Sequence, residues 1–443
     1  MQYNSILFIF NFLPIFLAIY YIVPAKLKNP ILLGGSILYY YFAVSSAPIA
    51  LALLLCITLL AYIVGRLIDT GKNPIVFWAS IFALLTILVF FKIYDGGKHL
   101  PSGLSFYLFQ IAAYLIRIYR GQMEAESNLI CFGNQIMMFP KLLSGPLADP
   151  ASLKAQSHGR EHSLSDFHGG LQEFIIGLSF KVLLANRVGG IFAQAGVAGY
   201  ESLSPIFAWL AIISFSMKLY FDFHGYSLMA CGLARMLGFH LPRNFDDPYA
   251  AKSVSDFYRR WHMTLGAWFR EYIYIPLGGN RGGTVRTVLN LLVVWLLTGL
   301  WHGVGGNYLL WAGILVACII LERLVIGKFL KKSYVVSHIY LVFVILLSWV
   351  PFAIGDFDQM SVFYGRLFGI GAPAVNPQDY VYWVQEYMWL LIAGVVFATP
   401  IPRKIWDKVR NCWLVDIVLF ALFWWCVYMI STSAQDPFAY FQY

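Results

Sequence analysis

The stretch Ile75-Val-Phe-Trp-Ala-Ser-Ile-Phe-Ala-Leu-Leu-Thr-Ile-Leu-Val-Phe-Phe91 carries no charge over 17 residues and is bracketed by Lys72 and Lys92. Wound as a helix, it would be about 25 Å long, close to the hydrocarbon thickness of a bilayer. Reading outward, comparable apolar runs occur at Ile6–Val23, Ile31–Val44, Ile49–Val64, Leu203–Phe221, Val285–Leu300, Tyr308–Ile326, Val335–Ile354, Tyr382–Phe397 and Trp413–Ile430. Less uniform runs cover Leu104–Tyr119, Leu129–Leu147, Gly170–Leu184 and Tyr226–Phe239. Some of these must be short, tilted or re-entrant. The pattern predicts an all-α, polytopic integral membrane protein with about 11–12 crossings.

Composition agrees. The 443 residues are 60% hydrophobic and only 12% charged, whereas soluble domains carry about 25% charged residues. A soluble enzyme, a disordered chain and a nucleic-acid binder are excluded. The net charge of +9 reads as basic residues held in cytoplasmic loops. The six cysteines are scattered with no CxxC pair, so neither a disulfide framework nor a zinc site is expected.

Charge also orients the chain. The first run lacks the basic flank and small-residue cleavage site of a signal peptide, so it reads as a retained helix. Lys26 and Lys28 follow it and place the N-terminus outside. Two further basic clusters, Arg323/Lys328/Lys331/Lys332 and Arg403/Lys404/Lys408/Arg410, mark cytoplasmic loops. Trp413–Ile430 then crosses outward, and residues 431–443 contain no Lys or Arg. Both termini are expected outside, which demands an even number of crossings. The organisation reads as one membrane domain over 1–430 and an aromatic tail over 431–443.

Polarity concentrates between Tyr220 and His302, in Tyr220-Phe-Asp-Phe-His-Gly-Tyr226, Arg243-Asn-Phe-Asp-Asp-Pro-Tyr249, Asp256-Phe-Tyr-Arg-Arg-Trp-His262, Tyr274-Ile-Pro-Leu-Gly-Gly-Asn-Arg281 and Trp301-His-Gly303. Ionisable groups at membrane depth are costly and usually face a cavity or one another. The last three motifs resemble the membrane-bound O-acyltransferase family, in its bacterial alginate O-acetyltransferase branch. Leu100-Pro-Ser-Gly-Leu-Ser-Phe-Tyr-Leu-Phe-Gln110 and Phe139-Pro-Lys-Leu-Leu-Ser-Gly-Pro146 match the same branch, in order. The tail Phe438-Ala-Tyr-Phe-Gln-Tyr443 resembles the aromatic C-terminal signature of its acetyl-transferring members. The chain departs from the family at Arg117, where an Asp is usual, at His224 and Leu228, where Ser and Asp are usual, and at Tyr443, where Phe is usual.

The resemblance implies a helical bundle around a central channel, with the motif-rich catalytic part over 220–313. It implies an enzyme that takes an acetyl group from a cytosolic thioester, acetyl-CoA as donor substrate rather than bound cofactor. The acetyl group would be delivered to a periplasmic serine-esterase-like (SGNH-type) acyltransferase acting on a cell-surface polysaccharide. No metal is expected. A D-alanyl transferase fed by a carrier protein and a solute transporter are the alternatives. The fused aromatic tail speaks against the first, and the Trp301-His-Gly303 motif against the second.

Acyl transfer needs a base for the acceptor hydroxyl and a dry, positioned path. Imidazole, with an unperturbed pKa of about 6.5, suits that base. His302 is the first candidate: it ends an apolar run, precedes a glycine, and has Trp301 beside it to exclude water. His262 is the second, expected in a helix with Asp256 and Arg260 spaced to pair at i,i+4. Tyr440 is the third, as an acyl relay. A phenol of pKa about 10 is near a thiol of about 8.5, so a phenyl ester keeps most of the thioester's transfer potential. Asp222, Trp261 and Asn280 complete the expected site. His158, His162 and His168, with Glu161 and Asp166, form a weaker metal-like grouping in a polar loop.

Overall fold

The computed structural model describes residues 1–44, 47–94 and 100–432; Tyr440 and Tyr443 lie outside the described residues. The described residues form helices joined by turns, with no strand among them. The helices used below are α1 (Ala25–Ala43), α2 (Ala47–Gly71), α3 (Pro74–Ile93), α4 (Leu104–Tyr119), α5 (Leu129–Met137), α6 (Phe139–Leu142), α7 (Leu164–Ser179), α8 (Pro205–Met236), α9 (Val254–Arg260), α10 (Met263–Phe269), α11 (Gly283–His302), α12 (Gly306–Leu321), α13 (Tyr334–Ala353), α14 (Tyr380–Phe397), α15 (Ile401–Val409) and α16 (Trp413–Thr432).

Nine helices among the described residues are long and apolar enough to cross a bilayer, and Leu7–Ile22 and α4 are shorter apolar helices. The tally departs from a simple reading of the runs: Ile31–Val44, almost wholly within α1, is not among the nine, and two other runs merge while a third breaks. Leu203–Phe221 and Tyr226–Phe239 join into the single 32-residue helix α8. Leu129–Leu147 instead breaks at Met138, whose backbone is not helical (φ −51°, ψ 117°), into the nine-residue α5 and the four-residue α6. Neither piece spans a membrane at about 1.5 Å per residue. α3 begins where the sequence punctuates it: Asn73 accepts hydrogen bonds from the Ile75 and Val76 amides, and Pro74 opens the first turn.

The chain forms two compact units. Among the described residues, one comprises Met1–Leu178, Gly225–Arg243 and Leu419–Thr432; the other comprises Ser179–His224 and Asn244–Val418. Within the first unit, α7 and the end of α8 meet backbone to backbone. A β-carbon on Gly170 would stand 2.6 Å from the Gly232 carbonyl oxygen, and one on Gly177 2.4 Å from that of Gly225. The two glycine pairs share a seven-residue spacing, the small-residue seam by which membrane helices approach closely. This unit also holds a stacked tyrosine group, Tyr39, Tyr3 and Tyr226, with Tyr3 at 5.5 Å and 5.1 Å from its neighbours.

The second unit carries both candidate histidines. α11 runs to His302 and stops because the backbone turns extended at Gly303. α12 and α13 pack beside it and bring Trp311, Trp349 and Phe352 to its end.

Candidate active site

His302 is 7% exposed and enclosed by rings. Trp301 lies 4.5 Å away between centroids, Trp311 4.9 Å at 84°, Phe352 5.1 Å at 79° and Tyr308 6.3 Å. Edge-to-face contacts of this kind hold an imidazole in one orientation in a region depleted of water. Gly303 fits only as glycine: a β-carbon there would fall 2.4 Å from the Tyr308 ring.

His262 is 4% exposed and does not lie in a helix as the sequence suggested. It sits at the junction of α9 and α10 with φ 46°. α9 ends because Trp261 turns extended and enters a ring cluster of Phe245 (5.1 Å), Phe257 (5.4 Å), Trp349 (5.4 Å) and Tyr220 (6.0 Å). The left-handed step at His262 then restarts the chain as α10. Backbone pairing fixes the junction: the Met263 amide donates to the Asn244 carbonyl at 2.9 Å, and the Asp246 amide to the Arg260 carbonyl at 3.0 Å.

Asn244 also sets the chemistry of His262. Its Oδ1 accepts from the Thr264 hydroxyl at 2.6 Å and the Thr264 amide at 3.4 Å, and lies 3.3 Å from His262 Nδ1. An amide N–H can only donate, so the oxygen faces this corner and Nδ1 of His262 carries the proton. Nε2 is therefore the basic nitrogen. Burial pushes the imidazole down to about 3, so it is neutral at ordinary pH.

Trp301 connects the two histidines, its ring 4.5 Å from His302 and 6.1 Å from His262. The structure thus assembles His302, Trp301, His262 and Trp261 in one aromatic enclosure. Phe223, at 4.7 Å from His262, adds a wall.

Other expected site residues are held elsewhere in the same unit. Asp222 is ion-paired with Lys181 at 2.5 Å, both side chains at most 1% exposed. Asp256 and Arg260 do pair at i,i+4, at 3.2 Å. They join a half-exposed network in which Arg403 meets both Asp246 and Asp247. Asn280 is exposed and accepts from the Tyr274 hydroxyl at 2.5 Å and Arg323 at 3.3 Å. It lies in a glycine turn where Gly278, Gly279 and Gly283 have positive φ. In the first unit the three histidines expected in a polar loop are not all in one, since His158 lies in the helix Pro150–Gly159 and His168 in α7, and they find separate partners: His158 with Glu126 at 3.0 Å, His162 with Tyr20 at 2.9 Å and His168 with Gln172 at 3.3 Å. Arg117 pairs with Asp149 at 2.7 Å.

Several contributors gave no sequence signal as site residues. Asn244, Trp311, Trp349 and Phe352 are recognisable only once the helices are assembled. Glu322 is another: its buried carboxylate accepts from the Val254 amide at 2.5 Å and from the Ser255 amide and hydroxyl at 3.1 and 2.9 Å, tying down the start of α9.

The profile of the membrane-bound O-acyltransferase family matches residues 75–352, a span that contains both histidines. The chain belongs to that family. It is 30% identical to the probable alginate O-acetylase AlgI of Pseudomonas putida, over the full length of both chains. It is 34% identical to that of Pseudomonas syringae pv. tomato, covering 84% of this chain and 76% of the relative. It is 30% identical to the peptidoglycan O-acetyltransferase of Helicobacter pylori, covering 70% and 68%. The protein is accordingly a multi-pass membrane O-acyltransferase.

Proposed function

We propose that this chain is a polysaccharide O-acetyltransferase that passes an acetyl group across the bacterial inner membrane while the bulky donor stays in the cytosol. The relatives' names, alginate O-acetylase and peptidoglycan O-acetyltransferase, support the acetyl group and a cell-surface polymer as its destination, with an alginate-like polymer foremost. The observation that carries the mechanism is the pairing of His302 and His262 around Trp301, away from water and at the end of a candidate membrane span.

In this reading acetyl-CoA docks from the cytosol and a hydroxyl enters from outside. His302 removes the hydroxyl proton as the oxygen attacks the thioester carbonyl. The new C–O ester bond forms, the C–S bond breaks, and the imidazolium returns its proton to the thiolate. His262, with Nε2 as its acceptor atom, orients the donor or the hydroxyl. Tyr440 is the acceptor we favour, and an SGNH-type periplasmic acyltransferase then moves the acetyl group to the polymer. The charge-based expectation of periplasmic termini supports a tail that approaches from the receiving face.

The test is His302→Ala in the native host. Polymer acetylation is expected to vanish while the protein remains membrane-inserted, and retained acetylation would exclude His302 as the base. Mass spectrometry of the C-terminal peptide tests the relay. Acetyl on Tyr440 that disappears in His302→Ala is expected, and an unmodified peptide under active turnover would remove Tyr440 from the path.

A further inference from the structure

The nine-residue helix α15, Ile401-Pro-Arg-Lys-Ile-Trp-Asp-Lys-Val409, lies between α14 and α16, each long and apolar enough to cross the membrane. Its position in the chain therefore confines it to one membrane surface. Charge divides it lengthwise. Ile401, Ile405 and Val409 recur at every fourth residue, which places them in one row, and they are 57%, 55% and 38% exposed. Lys404 and Lys408, also exposed, recur at the same spacing and border that row. The opposite side is turned to the protein: Pro402 and Trp406 are partly covered, and Arg403 reaches Asp246 and Asp247. The outward surface thus combines an apolar row with two exposed ammonium groups; the one carboxylate of the helix, Asp407, lies toward the Arg403 side. An apolar row can seat at the acyl boundary only if something satisfies the charges beside it, and headgroup phosphates lie at that level.

We infer that α15 is a docking surface for anionic phospholipid. Ile401, Ile405 and Val409 are seated at the acyl boundary, and Lys404 and Lys408 hold headgroup phosphates. A zwitterionic headgroup offers the same phosphate with a compensating cation, so charge complementarity selects the anionic lipid. A lysine near an anionic surface contributes about five-fold to binding. The inference is independent of the catalytic reading, because none of these residues touches either histidine.

The experiment uses the full chain in detergent, titrated with phosphatidylglycerol or phosphatidylcholine, and counts retained lipids by native mass spectrometry. The wild type is expected to retain phosphatidylglycerol preferentially. K404Q/K408Q is expected to reduce that preference by about 25-fold, and K404R/K408R to keep it. I401S/I405S is expected to weaken retention of both lipids. Equal retention of the two lipids by the wild type would overturn the inference. So would an undiminished preference in K404Q/K408Q, or its loss in K404R/K408R, since charge would then not be the determinant. Thermal melting of each variant separates loss of lipid from loss of fold.

Discussion

The indole of Trp311 meets the imidazole of His302 edge to face, with centroids 4.9 Å apart and planes at 84°. Trp311 comes from α12, one turn into the helix that follows Gly303, so the orientation of the proposed base depends on the packing of a second helix. Trp311→Phe is expected to keep an aromatic wall and most activity. Trp311→Ala frees the imidazole, and a displacement of about 1 Å at a reacting group can cost about 100-fold in rate. The expected result is a kcat loss of that order with KM for the thioester little changed. Opening the core by a tryptophan-sized deletion also costs about 3–5 kcal/mol, so kcat is to be measured below the lowered melting temperature.

Acid stability follows from His262. Burial holds its folded-state pKa at about 3, below the unfolded value of about 6.5. The unfolded chain takes up the proton first as pH falls. The stabilisation is complete above pH about 6.5 and is lost progressively toward pH 3. His162, in the loop before α7, is lowered to about 4, by burial first and then by Lys28 and Arg160, and contributes in the same window. Melting temperature measured from pH 7 to 4 is expected to fall in the wild type, less steeply in His262→Gln or His162→Gln, and least in the double variant. Parallel curves for all four proteins would show that neither imidazole is kept neutral by the fold.

Glu322 makes a different kind of contribution. It sits just past α12 in the chain, yet its carboxylate receives three donors from Val254 and Ser255. Hydrogen bonds to a charged group are worth about 1.5–3 kcal/mol, and these fix the first turn of α9, whose other end delivers Trp261 and His262. Glu322→Ala is expected to lower the melting temperature and to reduce kcat. Glu322→Gln can accept through its single amide oxygen only, and is expected to recover part of both. A variant that melts normally and turns over normally would show that α9 holds His262 without this tie.

These dependencies explain which parts of the site could be read from sequence. The place of His302 was legible because an apolar run ending in glycine reports its own terminus. His262 was not, because the charge spacing of Asp256 and Arg260 continues a helical pattern that the Trp261 ring interrupts. The rings that draw Trp261 inward belong to Tyr220, Phe245 and Trp349, distant in the chain. Asn244 is one asparagine among several until Thr264 folds against it. The division of α8 into two apolar runs had a similar origin, since Asp222 and His224 lower the local hydropathy. The partner that lets Asp222 stay within one continuous helix, Lys181, is 41 residues away.

That pair supplies the last prediction. Lys181 and Asp222 are both at most 1% exposed, in helices apolar enough to cross the membrane. Taking two charges out of water is repaid only by close mutual contact, and removing one partner of a buried pair costs about 3–5 kcal/mol. Asp222→Leu is therefore expected to be strongly destabilising, with reduced yield of inserted protein. Lys181→Met in the same background removes the buried ammonium as well and is expected to restore much of the stability, since apolar side chains suit the surroundings. Activity separates a structural pair from a catalytic one. Acetylation that returns with the fold in Lys181→Met/Asp222→Leu would leave Asp222 a structural residue. A stable but inactive double variant would return it to the chemistry.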